Sequence, residues 1–207
     1  MASSGPPDAK RAKREPCAGI RAERVRMLSK PAIGRLAPGR SMVLYWMSRD
    51  QRAADNWAAL HARSLAAEAG GSLVVAFNLV PSFLGATYRH FHFMLTGLAE
   101  TEATLRSQHI AFHLLRGQAE NTIPALAGEL SVAAVVCDFC PLRVPAAWAA
   151  SVAAKLDALG IPLHQVCEMQ RLRASLPKNP SLLLHTGLTT YDWYHCDLSV
   201  ASAHNHM

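Results

Sequence analysis

The chain has 207 residues, half of them hydrophobic, and a formal net charge of +6. That length suits one ordinary domain with tails, and that apolar content is enough to bury a sizeable core. No run of eighteen apolar residues occurs and the N-terminus lacks a basic-then-apolar leader, which argues against membrane insertion or export and for a place inside the cell.

The charge is uneven: residues 1–40 carry ten Lys or Arg against three acids, leaving eleven against twelve for the rest. Lys10, Arg11, Lys13 and Arg14 sit among Pro, Gly, Ser and Ala without apolar periodicity, so residues 1–40 read as a disordered basic arm. Such a run serves as a nuclear address, as a loose phosphate or DNA contact, or simply as a solvated tail.

From residue 42 strand and helix signals alternate. The apolar run "MVLYWM" (42–47) reads as a buried strand. Residues 53–69 then show helical spacing, ended by Gly70 and Gly71. "SLVVAFNLV" (72–80) is a second strand, stopped by Pro81, and a helix follows over 87–108. Next come "IAFHLL" (110–115), a helix over 119–130, "VAAVVCDF" (132–139), a helix over 145–159 and "IPLHQV" (161–166). This order predicts an α/β domain: a doubly wound, five-stranded parallel sheet with helices on both faces. Ligands in such folds bind beyond the carboxyl ends of the strands, where strand order reverses. The loops to watch are therefore 48–52, 78–86 and 138–143.

Chemistry-bearing motifs are sparse. Five cysteines at 17, 137, 140, 167 and 196 form an odd, scattered set, which favours reduced thiols over a disulfide framework. Cys137 and Cys140 make a C-x-x-C, but it ends an apolar strand and has no second ligand pair nearby, so neither metal nor redox chemistry is expected. In "FLGATYRHFHFMLTGL" (83–98), His90 and His92 lie about 200° apart around a helix and cannot share one metal. The aromatics are expected to pack inward with at least one histidine near solvent. No G-x-G-x-x-G, G-x-x-x-x-G-K-[ST] or G-x-S-x-G occurs, which disfavours a dehydrogenase, a nucleotide hydrolase and a serine hydrolase. The residues alone thus point to a small-molecule-binding α/β domain with no visible catalytic side chains.

Three stretches, "LYWMSRDQRAADNWAAL" (44–60), "NLVPSFLGATYRHFHFMLTGLAE" (78–100) and "VVCDFCPLRVPAAW" (135–148), in that order and spacing, resemble the amino-terminal domain of class II cyclobutane pyrimidine dimer photolyases over about residues 41–166. The resemblance implies the Rossmann-like photolyase/cryptochrome antenna fold. It implies a light-harvesting chromophore, a deazaflavin, flavin or folate, that passes excitation to FAD in a second, helical domain. Excited FAD there splits dimers flipped out of damaged DNA, so the chemistry belongs to the cofactor. Carried over residue by residue, Trp46, Met47, Ser48, Arg49, Val80, Pro81, Phe83, Asp138, Phe139 and Arg143 line an antenna crevice, with Arg49, Asp138 and Arg143 orienting the polar edge of the ring. A second reading stays open: Arg49, Asp50, Arg52 and Asp55 form a surface ion-pair and capping network, and Trp46 and Phe83 are core. In either case no catalytic residue and no metal ligand is expected.

Residues 167–207 match nothing in that family, show no sustained period and hold four of the ten histidines. They read as an irregular tail, and the FAD domain is expected to be missing. The expectation is then a truncated family member, inactive alone in dimer repair, monomeric or prone to aggregate, with no membrane partner. The alternatives are a stand-alone flavin or deazaflavin binding module and a non-functional or regulatory product. The basic arm makes the nucleus the expected location, with the cytoplasm otherwise.

Overall fold

The computed structural model describes residue 20 and residues 22–167. Its strands are β1 (Val25–Met27), β2 (Val43–Met47), β3 (Leu73–Leu79), β4 (Ala111–Arg116), β5 (Ala134–Asp138) and β6 (Leu163–Val166). The helices are α1 (Trp57–Glu68), α2 (Tyr88–Ser107), α3 (Ala119–Glu129) and α4 (Arg143–Ala158). The sheet runs β1-β6-β5-β2-β3-β4, with five strands parallel and β1 antiparallel to β6. Among the described residues no helix is long and apolar enough to cross a membrane.

The fully apolar β2 is the central strand, and its side chains alternate between two cores. Leu44 and Trp46 pack with Val74, Val135, Ile123 of α3 and Val152 and Leu156 of α4. Val43, Tyr45 and Met47 pack with Val75, Phe77, Ala62 and Leu65 of α1 and Leu98 and Leu105 of α2. Helices thus cover both faces, the doubly wound arrangement expected of apolar parallel strands.

The helix ends follow local chemistry. α1 begins only at Trp57 because the Asn56 side chain accepts the Ala59 amide at 2.8 Å, a cap that sets the start later than apolar spacing alone suggests. It ends where Gly70 takes φ 69° and Gly71 meets the Ser41 carbonyl, which a Cβ would approach to 1.9 Å.

Two expectations need correction. The sheet has six strands, and residues 1–40 are not one arm. From Ala22 the chain forms a 3-10 turn, then β1 in register Val25↔Val166, Arg26↔Gln165 and Met27↔His164. Three residues carry no readable period, and this strand is held by its partner: Leu28 donates to the Leu163 carbonyl and Cys167 to that of Arg24, both at 2.9 Å. It covers the edge of β6 that would otherwise stay unpaired. At the opposite edge β4 is half exposed despite its apolar sequence. Lys10, Arg11, Lys13 and Arg14, and the tail beyond residue 167, lie outside the described residues.

Behind β1 lies a histidine pair. His61 of α1 and His164 of β6 are both buried, with His61 Nε2 3.1 Å from His164 Nδ1 and His164 Nε2 2.9 Å from the Arg35 carbonyl. A carbonyl only accepts, so His164 carries its proton on Nε2 and its Nδ1 accepts from His61. Burial first, then His164 and Arg35, lower the His61 pKa to about 4, and burial also lowers that of His164. The unfolded chain binds protons that the folded pair refuses, so stability is full above pH 6.5 and falls towards pH 4. We expect this to amount to about 3 kcal/mol at most for His61. Urea melts of wild type and His61→Gln across that window should show a shallower acid-side loss in the variant.

Candidate functional site at the strand ends

The five parallel strands are entered in the middle at β2; the chain builds outward through β3 and β4, then returns to lay β5 against the other side of β2. Strand order therefore reverses between β2 and β5, and a crevice forms beyond their carboxyl ends. Its volume is about 390 Å³.

One carboxylate organises its floor. Asp138, the last residue of β5, is buried, and its Oδ2 accepts the backbone amides of Ser48 (2.9 Å), Arg49 (2.8 Å) and Asp50 (3.1 Å) together with the Ser48 hydroxyl (3.3 Å). Three successive amides converging on one oxygen form a backbone nest. Oδ1 accepts the Tyr45 hydroxyl at 2.7 Å, and that hydroxyl accepts from Asn56 Nδ2 at 2.9 Å. Burial, and next the Asp138 charge, push the Tyr45 pKa well above the ordinary phenol value, so it remains a donor. Asn56 also donates to the carbonyls of Asp50 and Arg52 while capping α1. The loop after β2 is thereby tied to β5 and α1 at once.

The walls come from all three loops and three helices. Trp46, Ser48, Arg49 and Gln51 line one side, and Phe77, Leu79, Val80, Phe83 and Ala86 another. His90, Phe91 and Met94 of α2, Ala119 of α3, and Cys140, Pro145 and Trp148 complete it. A turn in which Ala86 donates to the Phe83 carbonyl at 2.7 Å, with Leu84 at φ 44° and Gly85 at φ 75°, holds Phe83 in place. Its ring centroid lies 5.7 Å from that of Trp148, tilted by 52°, the geometry of an aromatic pair. Cys140 is a free thiol at the wall, while burial pushes the Cys137 thiol well up. A larger hollow, about 830 Å³, lies between α1 and the β1 segment over the histidine pair.

Of the ten residues expected at the crevice, Trp46, Ser48, Arg49, Val80 and Phe83 line it. The other five do not. Met47 points to the opposite core, one residue out of phase with Trp46. Pro81 is exposed, Phe139 meets the Arg26 guanidinium at 5.8 Å, and Arg143 starts α4 in solvent. Asp138 faces the loop after β2 instead of the crevice, because three amides there need an acceptor. The alternative network also exists in part: Arg52 pairs with Asp50 at 3.2 Å and donates to the Asp55 carbonyl at 3.0 Å, but Asn56 and not Asp55 caps the helix. Trp148 and Met94 join the lining from outside the expected set, and Pro145 and Trp148, and His90 and Met94, stand at helical spacings of three and four.

The sequence profile of the DNA photolyase family matches residues 43–172, more than half of the chain. This chain belongs to the DNA photolyase family. It is 42% identical over 146 residues to the deoxyribodipyrimidine photo-lyase of Potorous tridactylus, covering 70% of this chain and 26% of that one. It is 42% identical over 120 residues to that of Arabidopsis thaliana, covering 58% and 24% respectively. The chain thus spans about a quarter of the length of these curated relatives. A cryptochrome structure from Synechocystis shares the fold, with a TM-score of 0.52 and 16% identity over 61% of this chain and 26% of that one.

In this photolyase-family chain the Asp138 nest should dominate local stability. Asp138→Asn removes the charge from the nest and, with its oxygen on the three amides, puts an NH2 group where the Tyr45 hydroxyl needs an acceptor, and we expect a loss of about 2–4 kcal/mol. Equilibrium urea denaturation measures it; a loss under about 0.5 kcal/mol, the range of ordinary surface changes, would show that the nest is dispensable.

Proposed function

We propose that the crevice beyond β2, β3 and β5 holds a flat antenna chromophore, a deazaflavin, flavin or folate, and that the chain acts as the light-harvesting region of a class II cyclobutane pyrimidine dimer photolyase. The observation that carries this reading is the wall: a crevice of about 390 Å³ framed by Trp46, Phe77, Phe83, Phe91 and Trp148. Its size falls in the range of small-ligand pockets, which are mostly apolar with few polar groups. Such walls bury both faces of a tricyclic ring, and Arg49 supplies charge at one side. When bound, the chromophore would supply absorption of light, and this chain's residues would fix its position and exclude water.

In this reading dimer repair in damaged DNA belongs to the larger assembly. The relatives are about four times as long as the region they share with this chain, and FAD would be held by residues outside 43–172. The cluster Lys10, Arg11, Lys13 and Arg14 is read as a nuclear address. Its replacement by alanine should move a fluorescent fusion out of the nucleus, and unchanged nuclear accumulation would refute the address.

Purified chain incubated with riboflavin, 5-deazariboflavin or a folate and then desalted should retain an absorbance band from one of them. Phe83→Ala combined with Trp148→Ala should weaken retention at least tenfold, given the weight of two aromatic walls. Pro81→Ala, which alters an exposed residue off the crevice, should not. Folded protein that retains none of the three would contradict the chromophore assignment.

A further inference from the structure

We propose that His90 determines which ring the crevice accepts, by presenting a fixed Nε2–H donor to a carbonyl oxygen on the edge of a flat, neutral heteroaromatic ligand. This rests on the chromophore reading and goes beyond it by naming the group that reads the ligand.

His90 is the third residue of α2 and lines the crevice. Its Nδ1 lies 3.1 Å from the backbone nitrogen of Thr87 and 2.9 Å from the Thr87 hydroxyl. An amide N–H only donates, so Nδ1 must be an unprotonated acceptor, and a neutral imidazole then carries its hydrogen on Nε2. Thr87 and His90 form a capping box in which histidine takes the place of the usual Glu or Gln. The cap therefore sets the tautomer.

Other polar groups at the wall already have protein partners. The Asn78 amide donates to the Gly117 carbonyl at 2.9 Å and accepts the Thr122 hydroxyl. The Ser48 hydroxyl donates to Asp138, Gln51 Nε2 donates to the Ser48 carbonyl at 3.1 Å, and Arg49 reaches the Phe139 carbonyl at 3.4 Å. Among the described residues Nε2 of His90 has no hydrogen-bond partner. A ligand carbonyl that leaves water for this apolar crevice is costly unless it meets a donor. A fixed donor on a largely apolar wall selects a ring with an edge carbonyl over one without. Pyrimidinedione and pteridinone edges present such a carbonyl.

Glutamine and glutamate at position 90 both preserve the capping box, since either accepts the Thr87 amide. They differ in what is left for the crevice. Gln offers N–H donors, whereas Glu offers only an acceptor. Riboflavin and 5-deazariboflavin would be titrated separately into wild type, His90→Gln and His90→Glu, with thermal melts to confirm equal folding. Affinity of His90→Gln should stay within about threefold of wild type, and that of His90→Glu should fall at least tenfold, as expected when a ligand carbonyl meets an acceptor in place of a donor. Equal binding by the two variants would overturn the proposal, because it would reduce His90 to a helix cap. Absence of binding to wild type by either ring would instead overturn the flavin-type reading of the crevice, and this proposal with it.

Discussion

Three consecutive backbone amides point at one buried carboxylate, and the site is arranged around that contact. The amides of Ser48, Arg49 and Asp50 leave the end of β2 with no strand partner, and Asp138 at the end of β5 accepts all three. A buried amide without an acceptor is costly, and so is a buried carboxylate without donors. Each satisfies the other across the point where strand order reverses. Tyr45 and Asn56 extend the contact to the start of α1, so the loop after β2 becomes part of the sheet's framework.

The crevice inherits its character from that contact. Because the polar demand of the β2 loop is met beneath it, the walls are free to be aromatic: Trp46 below, Phe83 and Trp148 as a tilted pair, Phe91 and Met94 from α2. A site of this kind holds a flat ring by area and selects it by a few polar atoms. His90 is suited to the second task because its first nitrogen already serves the helix. The same residue thus links a local rule of helix capping to recognition of the ligand edge.

Much of this was legible in the sequence, for physical reasons. Strands β2, β3 and β5 are short, mainly apolar runs bounded by Gly, Pro or helical spacing, and the helices between them show their period. Alternation of strand and helix points to a parallel sheet that binds ligands beyond its carboxyl strand ends, and the three loops there all reach the crevice. What was not legible depends on long-range pairing. Val25–Met27 is a strand only because β6 offers an open edge, and nothing in three residues announces that. Asp138 ends an apolar strand beside a loop rich in charge, and its direction is set by amides ninety positions away, as the separation of Asp138 and Ser48 shows. Met47 was a readable error: period two places it opposite Trp46. His90 reads as one more aromatic-rich position until the T-x-x-H spacing from Thr87 is set beside the capping rule.

The central claim, that the crevice at the β2 and β5 ends is where this chain holds a flat chromophore, is tested most directly by locating the ring. Intermolecular nuclear Overhauser effects between riboflavin or 5-deazariboflavin and the labelled chain would do so. The account predicts contacts from the ligand's aromatic protons to the side chains of Phe83, Met94 and Trp148. Contacts to Met27, Leu60 and Trp57, which line the larger hollow over the histidine pair, would contradict it and place ligand binding between α1 and the β1 segment.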